Sequence, residues 1–235
     1  MISFVVPAYN EEKYLTATLV AIHAAGKAGG ERYEIVVAND DSSDATPALA
    51  KDAGARVVDV HKRQIAGTRN AGARAAQGDI LFFVDADTHV NAALVNEALA
   101  AIRGGAVGGG ARVRFHGDVP AWVTKFMVIF TPIYFGIGRW AAGAFVFCTR
   151  EAFEAAGGFD EATYAGEEIA FSQALKRQGR FVIVKGFVET SARKAHGRSM
   201  WEMLAITARV TVRAALAGGR LKRREDASFW YDGRR

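Results

Sequence analysis

Short apolar runs alternate with stretches of helical spacing through the first half of the chain. The pattern predicts strands at Ile2–Val6, Tyr33–Ala38, Arg56–Val60 and Ile80–Val84, and helices at Glu11–Ala25, Asp44–Ala53 and Ile65–Ala76. The runs IVVA and ILFFV are apolar throughout, which is typical of strands covered by helices on both faces. This β-α-β-α order predicts an α/β fold with a mostly parallel central sheet flanked by helices.

The second half of the chain has a less regular pattern. A glycine-rich segment (GGAVGGGARV) leads into a strand that ends near Phe115, and another strand is predicted at Phe181–Val184. Helices are predicted at Glu167–Arg177 and, with amphipathic spacing, from about Ser199 to Ala217. No internal repeat or low-complexity linker interrupts the pattern, so residues 1–235 are expected to form one domain.

Polar residues follow each of the first four predicted strands. In chain order these segments are PAYNEE, NDDSSD, HKRQ and DADTH. Ligands of parallel α/β sheets bind beyond the carboxyl ends of the strands. We therefore expect the functional site at this edge of the sheet.

The stretch FFVDADTHV ends an apolar run in two aspartates, Asp85 and Asp87. In extended geometry both side chains leave on the same side, and because like charges repel, a cation is expected between them unless both are fully solvated. Oxygen ligands at this spacing suit Mg²⁺ or Mn²⁺, which would also hold a ligand's phosphates. Turns and helix N-caps are also rich in aspartate, so the pair alone leaves a structural role open.

Composition restricts the class of protein. Of the 235 residues 50% are hydrophobic, enough for a sizeable core, and the lone Cys148 lies in the apolar run AFVFC, which predicts a core thiol in a reducing compartment. The N-terminus MISFVVPAY lacks the basic region of a signal peptide, so we expect a cytoplasmic protein, in solution or at the inner face of the membrane. The apolar segment Phe126–Ile137 is too short to span a bilayer, which needs about 20 apolar residues.

Two segments raise the question of peripheral membrane contact. The formal net charge is +5, and the basic tail from Arg220 contains three aromatic residues among its lysines and arginines. The tail would either contact anionic lipid headgroups or be a solvated terminus. Nucleic-acid binding is not expected, because no recognised binding motif accompanies the tail. Upstream, five aromatic residues would line an apolar groove, enter a membrane surface, or pack as a core helix: Trp122, Phe126, Phe130, Tyr134 and Phe135.

Several segments together resemble the family 2 glycosyltransferases. They are VVPAYNEEKYL, EIVVANDDSSDAT, GTRNAGARAAQGDILFFVDAD, and REAFEAAGGFDE followed by GEEIAFSQALKRQG, in the family's order and spacing from residue 2 to about 180. The resemblance implies the nucleotide-diphospho-sugar transferase (GT-A) fold. Residues 1–115 would form the nucleotide-sugar-binding half, 116–199 the acceptor and catalytic half, and 200–235 a C-terminal helix and basic tail.

The resemblance also implies a donor-binding set. The segment that frames the nucleotide base and ribose is matched by Pro7, Ala8, Tyr9 and Glu11. The aspartate that hydrogen-bonds the base is matched by Asp40. Positions beside the donor are matched by Arg69, Asn70, Asp85 and Ala86.

Metal and catalytic positions are implied in the same way. The metal-binding aspartates are matched by Asp85 and Asp87, and the acidic pair whose second member is the catalytic base by Glu167 and Glu168. His196, in the basic cluster ARKAHGRS, lies where relatives often place a loop that closes over the pyrophosphate. It would be a third metal ligand there, and a solvated basic turn is the alternative.

The chain departs from the family pattern in three places. Asn39–Ser42 replaces the usual Asp-Asp-Gly-Ser, and Asp41 at the glycine position tolerates turn geometry nearly as well as glycine. Glu168 replaces an aspartate, and its extra methylene moves the carboxylate by about 1.5 Å, which leaves open whether it or Glu167 is the base. The Gln-Xaa-Xaa-Arg-Trp motif of processive relatives is absent, so we expect one sugar per encounter.

The expected function is metal-dependent, inverting transfer of a sugar from a nucleoside diphosphate donor, with UDP favoured, to a saccharide or lipid-linked hydroxyl acceptor. The cofactor would be Mg²⁺ or Mn²⁺. The alternatives are a non-catalytic nucleotide-sugar-binding protein and a nucleotidyltransferase of related fold. A dinucleotide dehydrogenase is disfavoured because no Gly-Xaa-Gly-Xaa-Xaa-Gly follows the first strand.

Overall fold

The computed structural model describes residues 1–195 together with Trp201, Glu202 and Ala205. Within these residues the strands are β1 (Ile2–Ala8), β2 (Tyr33–Asp40), β3 (Arg56–Val60), β4 (Ile80–Val84), β5 (Thr88–His89), β6 (Ala106–His116), β7 (Phe145–Thr149) and β8 (Arg180–Ser191). The helices are α1 (Leu15–Ala28), α2 (Thr46–Asp52), α3 (Ile65–Ala75), α4 (Ala92–Arg103), α5 (Ala121–Thr131), α6 (Arg150–Ala155) and α7 (Glu167–Gln178). A π-helical turn, Pro132–Ile137, continues α5, and a 3₁₀ turn, Ala192–Ala195, follows β8.

Three predictions concern residues that the structure does not describe. They are the proposed metal ligand His196, the basic tail from Arg220, and most of the helix predicted from Ser199 to Ala217. These three stay predictions.

One mixed sheet runs through the described residues in the order β3-β2-β1-β4-β7-β6-β8-β5. The strands β1 to β4 are mutually parallel, which confirms the arrangement predicted for the first half. In the second half β6 and β8 are parallel, whereas β7 runs antiparallel to β4 and β6, and β5 runs antiparallel to β8. The predicted α/β fold is confirmed, and the reversed strands make its sheet mixed.

Helices cover both faces of the sheet and create two hydrophobic cores. On one face α1 and α4 bury residues at helical spacing: Leu15, Leu19, Ile22, Leu94, Val95, Ala98 and Leu99. On the other face α3, α6 and α7 contribute Ala73, Phe153 and Phe171. Phe4 of β1 belongs to the first core and the next residue, Val5, to the second, as side-chain alternation in a strand requires.

The glycine-rich run in β6 allows three strands to pack closely. A Cβ atom on Gly109 would lie 2.0 Å from the Val182 carbonyl oxygen of β8, and one on Gly108 would lie 2.7 Å from the Phe147 carbonyl oxygen of β7. Both distances are shorter than van der Waals contact. Cys148 is fully buried beside this run, as predicted for a core thiol, and burial raises the pKa of its thiol group.

Several helices differ from the predicted pattern: α2 begins two residues later than predicted, and α6 was not predicted. α1 begins at Leu15 rather than Glu11, because the Glu11 carbonyl oxygen accepts hydrogen bonds from the Tyr14 and Leu15 N–H groups in a turn before the helix. α4 was not predicted, although Asn91 caps it by accepting a hydrogen bond from the Leu94 N–H at 2.9 Å. The apolar segment near residue 130 forms α5 and the π-helical turn, and the described residues include no helix long and apolar enough to cross a bilayer.

Candidate active site

The polar segments after the first three strands meet at one edge of the sheet. The Asn10 N–H donates to the Ser42 hydroxyl oxygen at 3.0 Å, and the Glu11 N–H donates to Thr46 Oγ1 at 2.8 Å. Asp41 adopts a left-handed conformation with φ of 60°, so the turn has the geometry predicted for the position where the family has glycine.

Asp40 organises the loop that leads into α3. Its buried carboxylate accepts four hydrogen bonds, from the N–H groups of Lys62, Arg63 and Gln64 at 2.7, 2.9 and 3.2 Å and from the Thr68 hydroxyl at 2.8 Å. These contacts fill the four lone-pair positions of a carboxylate. The hydrogen bond to a nucleotide base that the resemblance implies for Asp40 would require one of them to be given up.

Arg69 of α3 is the central cation of the site. Its side chain is only 2% exposed, and its guanidinium donates to Glu167 Oε1 at 2.7 Å, Asp85 Oδ1 at 2.8 Å and the Gly143 carbonyl oxygen at 3.0 Å. A Cβ atom on Gly143 would lie 2.9 Å from Nη2, so glycine allows this approach. Burial opposes the charge, yet Asp85 and Glu167 raise the pKa of Arg69 above its ordinary value. Arg69 therefore joins the strand-end aspartate to the acidic pair of α7.

The two glutamates at the start of α7 lie in different environments. Glu167 is buried and its carboxylate is paired with Arg69. Within the described residues Glu168 has no ion pair, and the Tyr134 hydroxyl oxygen lies 3.3 Å from its Oε1 and 3.0 Å from the Ala141 carbonyl oxygen. Glu168 is thus the member of the pair that is not already neutralised by a cation.

The surroundings of Glu168 favour its neutral form. Burial and then the negative charge of Glu167 raise its pKa from an ordinary value of 4.5 to about 8. Burial and the neighbouring Glu168 also raise the pKa of Tyr134, so its hydroxyl keeps its proton. A carboxyl group whose pKa lies near neutrality can both accept and release a proton under physiological conditions.

A second arginine, Arg193, connects the first and fourth strand-end segments. Its guanidinium is paired with Glu11 Oε1 at 2.6 Å and with Asp87 Oδ2 at 2.8 Å, and it lies 4.5 Å from the centre of the Tyr14 ring. Burial works against this charge, but the hydrogen bond to Glu11 and the charges of Asp87 and Glu11 raise the pKa of Arg193. Asp85 and Asp87 therefore each have an arginine partner of their own.

The oxygen atoms at this edge fit a hard divalent cation. Asp87 is 5% exposed, and its carboxylate already lies against a positive group, which shows that the position favours positive charge. Among the described residues no three side chains of the His, Cys, Asp and Glu types are grouped to hold an ion. A Mg²⁺ or Mn²⁺ ion here would take ligands from the predicted aspartates and from bound phosphates, the usual arrangement for Mg²⁺, and the third predicted ligand, His196, lies outside the described residues.

The remaining predicted donor-binding residues take defined positions. Pro7 and Ala8 end the buried strand β1, and the Tyr9 ring packs under Arg63 at 4.5 Å. Ala86 is buried, and its carbonyl oxygen accepts a hydrogen bond from Thr18 Oγ1 at 2.8 Å. The Asn70 side-chain amide donates to the Phe159 carbonyl oxygen at 2.8 Å, and its oxygen accepts from the Phe159 N–H at 2.9 Å. Asn70 thus anchors α3 to the segment before α7.

Sequence reasoning did not identify three contacts of the site. Tyr134 was assigned to an aromatic segment, not to a hydrogen bond with Glu168. Arg193 and Glu11, which pair in the structure, are 182 positions apart in the sequence. Gln64 caps α3 and donates to the Thr163 carbonyl oxygen at 2.9 Å, but it belongs to no recognised motif. The only signals in the sequence were the basic cluster around Arg193 and the polar segment that contains Gln64.

Part of the chain is similar in sequence to known glycosyltransferases. The chain is similar to an undecaprenyl-phosphate 4-deoxy-4-formamido-L-arabinose transferase from Aeromonas hydrophila subsp. hydrophila, with 34% identity over 94 residues. That alignment covers 37% of this chain and 29% of the relative, so the chain matches less than a third of the relative's length.

Two solved structures share the fold. The mannosyltransferase PcManGT from Pyrobaculum calidifontis, in complex with GDP-Man and Mn²⁺, matches with a TM-score of 0.70 and 19% identity over 98% of this chain and 68% of its own. TarS 1–349 from S. aureus, in complex with UDP-GlcNAc, matches with a TM-score of 0.66 and 18% identity over 99% of this chain and 72% of its own. These similarities confirm the GT-A fold. The family model for glycosyl transferase family 2 matches residues 3–155, more than half of the 235 residues, and the chain belongs to that family.

Proposed function

We propose that this chain is a metal-dependent, inverting glycosyltransferase that moves one sugar from a nucleoside diphosphate donor to a hydroxyl acceptor. The observation that carries the proposal is the contrast within the acidic pair: Arg69 neutralises Glu167, while Glu168 beside it has a pKa of about 8. One carboxyl group is thereby set apart for proton transfer, as general base catalysis requires. The solved relatives PcManGT and TarS hold GDP-Man with Mn²⁺ and UDP-GlcNAc, which supports a nucleotide-sugar donor.

On the donor side, Asp87 would hold Mg²⁺ or Mn²⁺, with Asp85 oriented beside it by Arg69. Such an ion supplies Lewis acid chemistry that neutralises the charge on the departing diphosphate. Tyr9 and Glu11 lie on the loop after β1, within reach of the turn after β2, and would frame the base and ribose. We favour UDP as the nucleotide.

On the acceptor side, ionised Glu168 would take the proton of the acceptor hydroxyl as that oxygen attacks the anomeric carbon. The Tyr134 hydroxyl, 3.3 Å from Glu168 Oε1, would fix the orientation of the carboxylate. Glu167 remains paired with Arg69 and would position α7 without exchanging protons. A single base with direct displacement inverts the configuration of the anomeric carbon.

The pH dependence of transfer follows from the proton on Glu168. A general base acts in its ionised form, and the pKa of Glu168 is about 8. The value of kcat/KM should therefore increase with pH, and the midpoint of the increase should lie near this pKa. The measurement is initial transfer rate against pH at low donor concentration. A rate that is flat between about pH 6 and about pH 9 would show that Glu168 is not the base.

Donor binding gives a test that does not depend on catalysis. Calorimetric titration of UDP, GDP, CDP and dTDP, each with and without Mn²⁺, should show binding of one nucleotide that requires the metal. Asp87→Ala should weaken this metal-dependent binding by at least about tenfold, because it removes the carboxylate proposed to hold the ion.

Asp52→Ala provides the matched control for that titration. Asp52 is an exposed carboxylate at the end of α2, away from the strand-end edge, and its removal should leave nucleotide affinity unchanged. Metal-dependent binding of equal strength in Asp87→Ala and wild type would refute the assignment of Asp87.

The acceptor is proposed to be lipid-linked. The Aeromonas relative is named for transfer to undecaprenyl phosphate, a lipid carrier. In this chain the π-helical turn that holds Tyr134 continues α5, a helix rich in apolar residues, so the proposed base lies next to an apolar segment. Transfer to a hydroxyl group of such a lipid-linked acceptor would take place at the cytoplasmic face of a membrane.

A further inference from the structure

The helix α5 is apolar over most of its circumference and yet largely exposed. Its sequence, AWVTKFMVIFT, contains one charged residue, Lys125, and only Val123 is buried. Val128 is 70% exposed and Ile129 63% exposed. Soluble proteins normally bury most of the apolar residues of such a helix, so this exposure indicates a surface that contacts something else.

The exposed aliphatic residues form a continuous stripe. Ile129, Ile133 and Ile137 recur at every fourth position through α5 and the π-helical turn, and the last two are 54% and 82% exposed. The aromatic residues of the same helix pack against one another instead. Phe126 stacks on Phe130 at 5.2 Å, and Phe130 on Tyr134 at 4.8 Å. The aliphatic stripe is therefore exposed while the rings contact one another.

A groove of about 600 Å³ lies between α5 and strands β6 and β8. Its apolar wall comes from the helix side, through Val123, Met127, Val128 and Pro132. Its basic residues come from the strands, and they are Arg112, Arg114 and Lys185. Among the described residues no acidic side chain lines it, so apolar surface and positive charge lie side by side.

The basic residues of the groove are accessible to a ligand from solvent. All three are exposed, and the guanidinium carbon of Arg114 lies over the Phe187 ring, 3.4 Å from its centre. Stacking on a ring holds a guanidinium in place without using its N–H groups, which remain free to bind oxygen atoms. Planar N–H groups of this kind match phosphate oxygens.

We propose that α5 and this groove dock on the surface of an anionic phospholipid bilayer. The aliphatic stripe would enter the boundary between headgroups and acyl chains, and the three cations would bind headgroup phosphates. The charge complementarity of the groove selects an anionic bilayer over a neutral one. Because α5 is too short to span a membrane, it would lie in the plane of the interface.

This inference is separable from the proposed reaction, because binding to vesicles needs neither donor nor acceptor. Docking would also explain how a lipid-linked acceptor reaches the site. The π-helical turn that follows α5 carries both Ile133 of the stripe and Tyr134 beside Glu168. A bilayer in contact with the stripe would therefore lie near the proposed base.

The first arm of the test measures binding of the full chain to vesicles by flotation. Wild type should bind phosphatidylglycerol–phosphatidylcholine vesicles. Its partition coefficient for pure phosphatidylcholine vesicles should be lower by about tenfold or more. The double variant Ile129→Asp with Ile133→Asp should lower the partition coefficient for the mixed vesicles by at least about tenfold. Val20→Asp is the matched control, because Val20 is an aliphatic residue on α1 that is 64% exposed, and its change should leave binding intact.

The second arm reverses the charges of the groove. Arg112→Glu with Arg114→Glu should reduce binding to anionic vesicles by about tenfold or more, whereas Lys51→Glu, at an exposed position on α2, should reduce it only slightly. The basic tail is present in all variants, so binding that survives both double variants would overturn the proposal. A second result would also overturn it. If replacing Ile129 and Ile133 converted a dimer into a monomer in sedimentation but left vesicle binding intact, the stripe would be a contact between two copies of the chain.

Discussion

Glu168→Gln is expected to lower kcat for sugar transfer by about a thousandfold while leaving the Kd for the donor unchanged. The substitution keeps the shape of the side chain and its contact with Tyr134 but removes the group proposed to take the acceptor proton. Donor affinity should persist because the residues proposed to bind the nucleotide lie on the loops after β1 and β2. Initial rates and nucleotide titrations on the same preparation measure both quantities.

The same variant should be more stable than wild type at high pH. The folded pKa of Glu168, about 8, lies above its ordinary value of 4.5, so the wild-type protein loses stability as pH rises between those values, and the full penalty remains above about 8. Glutamine has no charge and carries no such penalty. Urea unfolding at about pH 6 and about pH 9 should therefore show a gain that grows with pH.

Glu167→Gln is the matched control for both measurements. It removes the charge that pairs with Arg69 and should destabilise the fold at either pH. Undiminished transfer by Glu168→Gln, or equal stability changes in the two variants, would contradict the division of roles between the neighbouring glutamates.

Arg69→Met is expected to lower the free energy of unfolding by about 3–5 kcal/mol. Methionine fills the volume of the arginine stem but leaves the buried Glu167 and the half-buried Asp85 without their common cation. Both carboxylates would then have to be protonated or hydrated for the chain to fold. The measurement is urea unfolding at neutral pH, followed by circular dichroism.

Arg74→Met, on the same helix, provides the control for that experiment. The Arg74 side chain is 60% exposed and lies 3.8 Å from Glu161, so its removal should change stability by less than about 0.5 kcal/mol. If Arg69→Met behaves like Arg74→Met, the ion pairs of Arg69 contribute little to the fold.

The first half of the fold could be predicted from the sequence because its signals are local. The bounds predicted for β3 and β4 agree with the structure, and those of β2 and α3 differ by one or two residues at one end. Each of these elements is marked by an apolar run or by helical spacing. The reversal of β7 between β4 and β6 could not be predicted, because a short apolar run carries no information on direction.

The site could be predicted only as far as its strand ends. That the polar segments meet follows from topology, since parallel strands bring their carboxyl ends to one edge. The identity of the partners does not follow, because Arg69 and Glu167 are 98 positions apart and Tyr134 and Glu168 are 34 apart. The arginines that pair with Asp85 and Asp87 come from distant elements, so the strand-end pattern did not indicate them.

The ion pairs of Arg193 make donor affinity depend on a conformational equilibrium. Asp87 Oδ2 cannot hold both this guanidinium and a divalent ion at full strength, so the proposed metal-dependent binding would select molecules in which Arg193 has left the carboxylate. If roughly one molecule in a hundred is open, the apparent Kd would be about a hundredfold weaker than the intrinsic one. Because Arg193 also pairs with Glu11, its departure from both carboxylates would separate the turn after β8 from the loop after β1.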